Sequence, residues 1–483
     1  MKLKNLIDGF DSHICSGSID VDVEGIAYDS RKVKEGYVFV CISGFKTDGH
    51  DYVREAIKGG AVAIVAEKDV KLSEDITLIK TSNTRKALAF MSAAYFDHPA
   101  SKMKLIGVTG TNGKTTTTYL IKSILEKSEY NVSLIGTVAN IIGDKKIPSK
   151  NTTPESYDLQ YMFNEMVKNH TDYCIMEVSS HSLALDRVAG CIFDIGIFTN
   201  LTQDHLDFHK TFENYFNAKL KLFKQSKKAA INIDDDYGTK IIENVDIPVL
   251  TYSESKESDI WATDIEITSN CSRFILNTKD DSVEINLSLP GRFNVYNALS
   301  AASACIAEGI SLKLIKLGLE GVAGVPGRSE VIQSPKGYSV IIDYAHTPDG
   351  IVNILNTVGE YAKKRIITVF GCGGDRDKTK RPIMGEVAGK LSTICIVTSD
   401  NPRSEEPKAI IEDILPGINK TGCNFEVIVN RKEAIERALS IGEKDDVIAI
   451  VGKGHETYQI LKDKTIHFDE REIIRDFFKN QGL

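Results

Sequence analysis

The stretch Lys104-Leu105-Ile106-Gly107-Val108-Thr109-Gly110-Thr111-Asn112-Gly113-Lys114-Thr115-Thr116 decides how this chain is read. Its first half has the pattern of a buried strand ending in a glycine turn, and KTTTTYLIKSILEKS after it reads as a helix. Glycines let a backbone wrap closely around phosphate, because no Cβ blocks positive φ. The N–H groups at the start of the helix then point at the anion. Lys114 is placed to reach the β/γ-phosphates of a nucleotide, and the Thr115 hydroxyl to ligate Mg2+. The strict G-x-x-x-x-G-K-[ST] spacing is not met, since Val108 stands where its first glycine would be. The strand-loop-helix setting, rather than the bare pattern, carries the reading.

Working outward, DYCIMEVSS (172–180), IFDIGIFTN (192–200) and AAINID (229–234) are apolar runs that end in polar residues. Before the loop, residues 1–101 read as short alternating elements. They include a strand-like Tyr37–Ile42, a helix, glycine turn and strand in DYVREAIKGGAVAIVAEKDV, and a linker at Asp97–Ser101. From Arg328 the rhythm restarts with SVIIDYA, RIITVFGCGG, TICIVTSDNPR and DVIAIVGKGHE, separated by helical stretches such as RPIMGEVAGKL and RKEAIERALS. This alternation predicts an α/β protein with parallel sheets covered on both faces. At roughly 100–200 residues per domain, 483 residues suggest three. The divisions predicted are 1–101, 102–327 and 328–483. Ligands of such sheets bind outside the carboxyl ends of the strands, where the polar residues of these runs fall.

Hydrophobic residues make up 42% of the chain and charged residues 26%, so a core of ordinary size is available. The net charge of −8 argues against general nucleic-acid binding. Nine cysteines without a C-x-x-C pair fit a reducing compartment better than disulfides or a zinc site. The opening MKLKNLIDGFDSHICSGSID has no long apolar run, which predicts a cytoplasmic enzyme without a signal peptide or stable membrane insertion. Monomer is the default expectation.

Several further motifs follow the loop in order: Glu177-Val178-Ser179-Ser180-His181, Asn200-Leu201-Thr202-Gln203-Asp204-His205-Leu206-Asp207, Gly291-Arg292-Phe293-Asn294-Val295-Tyr296-Asn297-Ala298 and Gly327-Arg328. Then come Asp343-Tyr344-Ala345-His346-Thr347-Pro348, Gly373-Gly374-Asp375-Arg376, Asp400-Asn401-Pro402-Arg403 and Gly452-Lys453-Gly454-His455-Glu456. Over essentially the whole chain this ordered set resembles the Mur ligase family. The resemblance implies three α/β domains: one for a UDP-sugar, a central P-loop-type ATPase domain with a parallel sheet, and a Rossmann-like carboxyl-terminal domain for an amino acid. It implies ATP-dependent amide formation through an acyl phosphate in peptidoglycan synthesis, with Mg2+. The implied substrates are UDP-MurNAc-L-Ala-D-Glu and meso-diaminopimelate. Addition of L-lysine at the same step, or a ligase like folylpolyglutamate synthetase, stays open as an alternative.

By that resemblance Gly110, Thr111, Asn112, Gly113, Lys114, Thr115 and Thr116 hold the phosphates, and Asn294, Asn297, Arg328 and Asp343 the rest of the nucleotide. Thr115 and Glu177 hold one metal. His205 holds a second, with Lys219 carrying a carbamate that turns a cation into an anion; Lys114, His205 and Lys219 are the residues implied for catalysis. Ser30, Gly44, Phe45 and Lys46 fall to the UDP group, and Asn151, Thr152, Thr153, Ser179 and Arg187 to the muramoyl peptide. Leu185 stands where family members often carry a polar residue. Arg376, Asp400, Asn401, Pro402, Arg403, Gly452 and Glu456 line the amino-acid pocket, Arg403 for the distal carboxylate and Glu456 for the distal ammonium. His346 lies in a family motif without an assigned role.

Overall fold

The computed structural model describes residues 1–45, 47–72 and 75–481. The chain divides into two compact units. One is made of Met1–Gly107, Tyr130–Gly196 and Lys221–Lys227, the other of Val108–Glu129, Ile197–Leu220 and Lys228–Leu483.

The first unit opens with a five-stranded sheet in the order His13–Ser16, Thr77–Lys80, Ala61–Ala66, Tyr37–Val40, Gly25–Ala27. All neighbours are parallel except the first pair. Successive side chains point to opposite faces, so Val38, Val40 and Val65 pack with Ala87, Leu88 and Met91 of the helix Thr84–Tyr95. Phe39 and Ile64 pack on the other face with Val53 and Ala56 of the helix Val53–Lys58. The same unit holds the strand Tyr173–Glu177, buried at every residue and parallel to Val132–Ile135. The predicted linker Asp97–Ser101 is a tight corner. Asp97 and His98 have positive φ, and a 3-10 turn follows at Pro99–Lys102.

In the second unit the predicted phosphate-loop helix spans Lys114–Lys127. Here Ser226–Asn232, Val249–Ser253 and Ile260–Ile267 run parallel. Ser272–Thr278 and Ser282–Leu287 continue antiparallel. The central sheet is therefore mixed, where apolar runs had predicted parallel strands. The antiparallel strands alternate exposed and buried residues, as Ser282–Leu287 does. One solvated face leaves no continuous apolar run to read.

The carboxyl-terminal sheet has the order Glu330–Gln333, Ser339–Asp343, Val447–Val451, Ile366–Phe370, Ile394–Val397, Asn424–Val427. Only the Glu330–Gln333 edge is antiparallel. Ile341, Phe370 and Val397 pack on one face with the helices Pro348–Tyr361, Lys380–Leu391 and Pro407–Ile418. Val340, Ile342 and Ile450 pack on the other with Arg431–Ile441 and Glu470–Asn480. Register pairs Asp343 with Val451 and Phe370 with Val397. The loops that follow these strands therefore leave the sheet at one edge, the edge where ligands bind in open α/β sheets. Among the described residues no helix is long and apolar enough to cross a membrane.

Candidate active site

The phosphate loop leaves its strand where Thr199 donates its N–H to Thr109 O (3.0 Å) and Thr111 donates to Asn200 O (2.9 Å). Gly110 is packed so closely that a Cβ would run into the Thr199 hydroxyl. Gly113 sits at φ +88° against the Asn297 amide, so both its conformation and its space require glycine. It opens the helix without a side-chain cap, which leaves the first-turn N–H groups arranged as an anion cradle. Lys114 Nζ donates to Gly110 O (2.9 Å) and Thr111 O (2.8 Å), and so lies over the loop. Arg328 donates from Nη2 to Thr115 Oγ1 (3.0 Å) and stacks on Tyr344.

Thr116, Asn294 and Asn297 are buried near this loop's helix and the helix Arg292–Ala307. Asn294 donates to Pro290 O (2.8 Å) inside its own helix start, while Asn297 faces Gly113. Asp343 accepts the N–H groups of Ser329 (2.7 Å) and Ala345 (2.8 Å), one on each oxygen. Its carboxylate thus shapes the Arg328 turn. Asp349, which the motifs did not single out, accepts from Asn112 at the loop tip (2.7 Å).

His205 has a left-handed backbone (φ +54°), and its Nε2 lies 3.3 Å from Asp204 Oδ2. Asp204 is buried. Burial alone would raise its pKa, but His205, Lys380 and His346 hold it well below the usual carboxylate range. Lys380, also missed in the sequence, lies 3.5 Å from Asp204. Lys219 is 1% exposed, its Nζ 4.6 Å from the centre of the Tyr215 ring, with no carboxylate at ion-pair distance among the described residues. Burial and then Lys114 push its pKa well down.

In the first unit Glu177 ends its strand buried, accepting from Thr137 N–H (2.8 Å) and from Thr137 Oγ1 (2.9 Å). The Thr137 hydroxyl also meets Thr152 Oγ1 (3.0 Å), and Thr153 donates to Glu177 O (2.8 Å). Ser179 caps the next helix, and Arg187 donates to Thr153 O (3.0 Å). Thr152, Thr153, Ser179 and Arg187 are thus together, with exposed Asn151 just before them. Arg187, expected to face a substrate carboxylate, is already paired with Glu155 (2.6 Å). A cleft of about 730 Å3 is lined by Ser30 and Gly44 together with Tyr28, Phe39, Arg85 and Glu155. Phe45 is 76% exposed next to Gly44. Lys46 lies outside the described residues. The Glu177 carboxylate offers hard oxygens, the kind of donor Mg2+ takes.

At the carboxyl-terminal sheet edge Gly374 donates to Asn401 O (2.9 Å), and a Cβ on Gly374 would run into Pro402 O. Arg403, at φ +53°, donates from Nη1 to Gly374 O (2.7 Å). Arg376 donates to Asp375 O (2.9 Å). Neither arginine has a carboxylate at ion-pair distance among the described residues. Burial, then Arg376, lowers the pKa of Arg403. The acids after Arg403 do not neutralise it, because Glu405 pairs with Arg381 (2.8 Å) and Lys378 (3.1 Å). Asp400 is buried near Gly452, and Asn401 and Glu456 are joined at 2.8 Å. Glu456 Oε2 is also held by Lys453 Nζ (2.7 Å), so only its other oxygen remains for a ligand ammonium.

A glycine loop opening a helix on one sheet, and two arginines without an ion-pair partner among the described residues at the edge of another, are groups suited to phosphate and carboxylate. The chain matches the Mur ligase middle domain over residues 108–305, the Mur ligase glutamate ligase domain over 327–454, and the Mur ligase family catalytic domain over 22–97. A protein of Clostridium tetani (strain Massachusetts / E88), named UDP-N-acetylmuramoyl-L-alanyl-D-glutamate--2,6-diaminopimelate ligase, is 52% identical over 484 residues and 99% of each chain. One of the same name from Clostridium botulinum (strain ATCC 19397 / Type A) is 56% identical over 463 residues and 95% of each. A solved structure of a ligase of that name superposes with a TM-score of 0.71 at 30% identity, over 100% of this chain and 99% of that one. This chain belongs to the Mur ligase family, three-domain α/β enzymes that use ATP and Mg2+.

Proposed function

We propose that the protein joins meso-diaminopimelate to the D-glutamyl carboxylate of UDP-MurNAc-L-Ala-D-Glu with ATP, in peptidoglycan synthesis, as a cytoplasmic monomer. Its domains are 1–101 for the UDP-sugar, 102–327 for ATP and 328–483 for the amino acid. The observation that carries the reading is the pair Arg376 and Arg403, two cations at the ligand edge of the carboxyl-terminal sheet with no carboxylate at ion-pair distance among the described residues. Diaminopimelate differs from lysine by a second carboxylate, and an arginine fork binds carboxylate through two parallel hydrogen bonds. Lysine would leave Arg403 desolvated and facing no anion, which costs more than a lost contact.

The first-turn N–H groups and Lys114 bind and orient the phosphates so that the γ-phosphoryl group meets the glutamyl carboxylate in line. Transfer makes an acyl phosphate, the amine attacks its carbonyl carbon, and inorganic phosphate leaves. Thr115 and Glu177 would hold one Mg2+, and His205 with carbamoylated Lys219 a second; the metals would supply positive charge between the two anionic groups that must meet. Arg328 neutralises phosphate charge from the carboxyl-terminal side. Ser30, Gly44, Phe45, Lys46, Asn151, Thr152, Thr153 and Ser179 position the UDP-sugar peptide. Arg187 acts there through Glu155 rather than as an unpaired cation.

ADP release measured with UDP-MurNAc-L-Ala-D-Glu and either amino acid tests this. A preference for meso-diaminopimelate of roughly a hundredfold or more in kcat/KM is expected. Comparable kcat/KM for L-lysine rejects the assignment.

A further inference from the structure

The helix Lys380–Leu391 begins with two buried cations, Lys380 and Arg381. Positive charge in a first turn opposes the helix dipole, so these residues answer to something other than the helix. Arg381 is 1% exposed. Its guanidinium grips Glu405 with both nitrogens, Nη1 to Oε2 (3.0 Å) and Nη2 to Oε1 (2.8 Å). Nη1 also reaches Asp413 (2.8 Å), and Nη2 donates to Gly373 O (3.3 Å).

Glu405 carries the contact onward. Its Oε1 accepts the Asp375 N–H (2.6 Å), and Asp375 in turn accepts the Ser404 N–H (3.3 Å) and hydroxyl (2.5 Å). The bonds of Asp375 to Glu405 and Ser404 tie the loop bearing Arg376 to the loop bearing Arg403. Those two cations repel, as the lowered pKa of Arg403 reflects after burial. The clasp opposes that repulsion. The Arg381 hydrogen bond holds the Glu405 carboxyl down at about 2, so the clasp is ionised at working pH.

We propose that the pair of buried Arg381 and half-buried Glu405 is a positioning unit that fixes the spacing of Arg376 and Arg403, and thereby sets affinity and selectivity for an amino acid with a second carboxylate. The inference rests on the function proposed above. The pair touches no substrate. It acts through the two arginines, and the planar fork is essential because lysine offers one point charge and cannot fix both carboxylate oxygens.

Steady-state kinetics on the full chain test it with three variants. Arg381→Lys keeps the charge and loses the fork, Glu405→Gln removes the counter-charge, and Arg381→Met/Glu405→Met replaces the pair by apolar groups of similar volume, often neutral for stability. Each is expected to raise KM for meso-diaminopimelate roughly ten- to a hundredfold, as misplacement of binding groups by about 1 Å does. KM for ATP and for the UDP-substrate should stay within about twofold. The preference over L-lysine should fall, since lysine does not use the arginine pair. Thermal melting accompanies each assay. A folded double variant with native KM and native selectivity overturns the proposal, as does a parallel rise in all three KM values. Failure of all three variants to fold assigns the pair to stability and overturns it as well. If the unmodified enzyme does not turn over meso-diaminopimelate, it is the proposed function that fails. If it does and the variants behave like it, only the positioning role fails.

Discussion

Lys219 shows how much a single residue's surroundings decide. A lysine that is 1% exposed, lies over the Tyr215 ring and has Lys114 nearby is driven toward its neutral amine. The neutral amine is the form that attacks carbon dioxide. Its lone pair forms the N–C bond, a proton leaves, and the product is an anion where a cation had stood. That anion matches a metal-binding role, which a bare ammonium would oppose. Lys219→Ala should therefore be inactive yet folded, and partly restored by a small carboxylic acid that replaces the missing charge. The unmodified enzyme should carry the mass of one carbamate in crystals or gentle mass spectrometry. Full activity with a bare amine in well-resolved density would refute it.

At the scale of elements, the helices Lys380–Leu391 and Pro407–Ile418 cross where side chains are missing. A Cβ on Gly417 would run into Pro382 O, and one on Gly385 would sit 2.5 Å from Ile414 O. Two effects compete at Gly417. Alanine would gain up to about 1 kcal/mol of helix propensity. Forcing backbone apart in a packed interface costs about 1–3 kcal/mol. The obstacle is a backbone oxygen rather than the end of a flexible side chain, so overlap wins. Gly417→Ala should lower the urea midpoint, and a variant more stable than the parent would show that the helices part at little cost. The sequence reading placed the helix RPIMGEVAGKL within one residue of its observed start, because apolar periodicity is a local signal. It did not see why Gly385 and Gly417 are there, because the reason is a neighbouring helix. The same limit hid the antiparallel strands Ser272–Thr278 and Ser282–Leu287, whose half-solvated faces leave no apolar run.

Across the whole molecule, the residues that the sequence singled out, Lys114, Glu177, His205 and Arg403, stand at or soon after the carboxyl ends of strands, where a motif marks them. Arg381, Asp349 and Lys380 were not legible. Each looks like an ordinary charged residue at a helix start, and its meaning lies in partners 24 to 237 positions away. Such buried ionisable groups also set the acid limit of the fold. Burial, then Arg328, pushes the His455 pKa down to about 3, and burial, then Lys380, pushes His346 to about 4. In the unfolded chain both titrate near roughly 6.5. Below that pH the unfolded state binds protons that the folded state refuses, so stability falls as pH drops from about 6.5 toward the folded values. Glu405 acts in a lower window. Its folded carboxyl titrates at about 2, so its contribution is complete above roughly 4.3 and is lost as pH falls through that range toward 2. Only above about pH 4.5 do the histidines act without Glu405. Melting temperature followed from pH 7 downward should fall first between about 6.5 and 4.5, before any carboxylate of this kind is lost. His455→Gln removes one of these two histidines and should flatten the fall from about 6.5 down to about 3, where the folded histidine titrates, while leaving the loss due to Glu405 in place. An unaltered slope between about pH 6.5 and 4.5 in this variant would mean that His455 is protonated in the folded protein as easily as in the unfolded one.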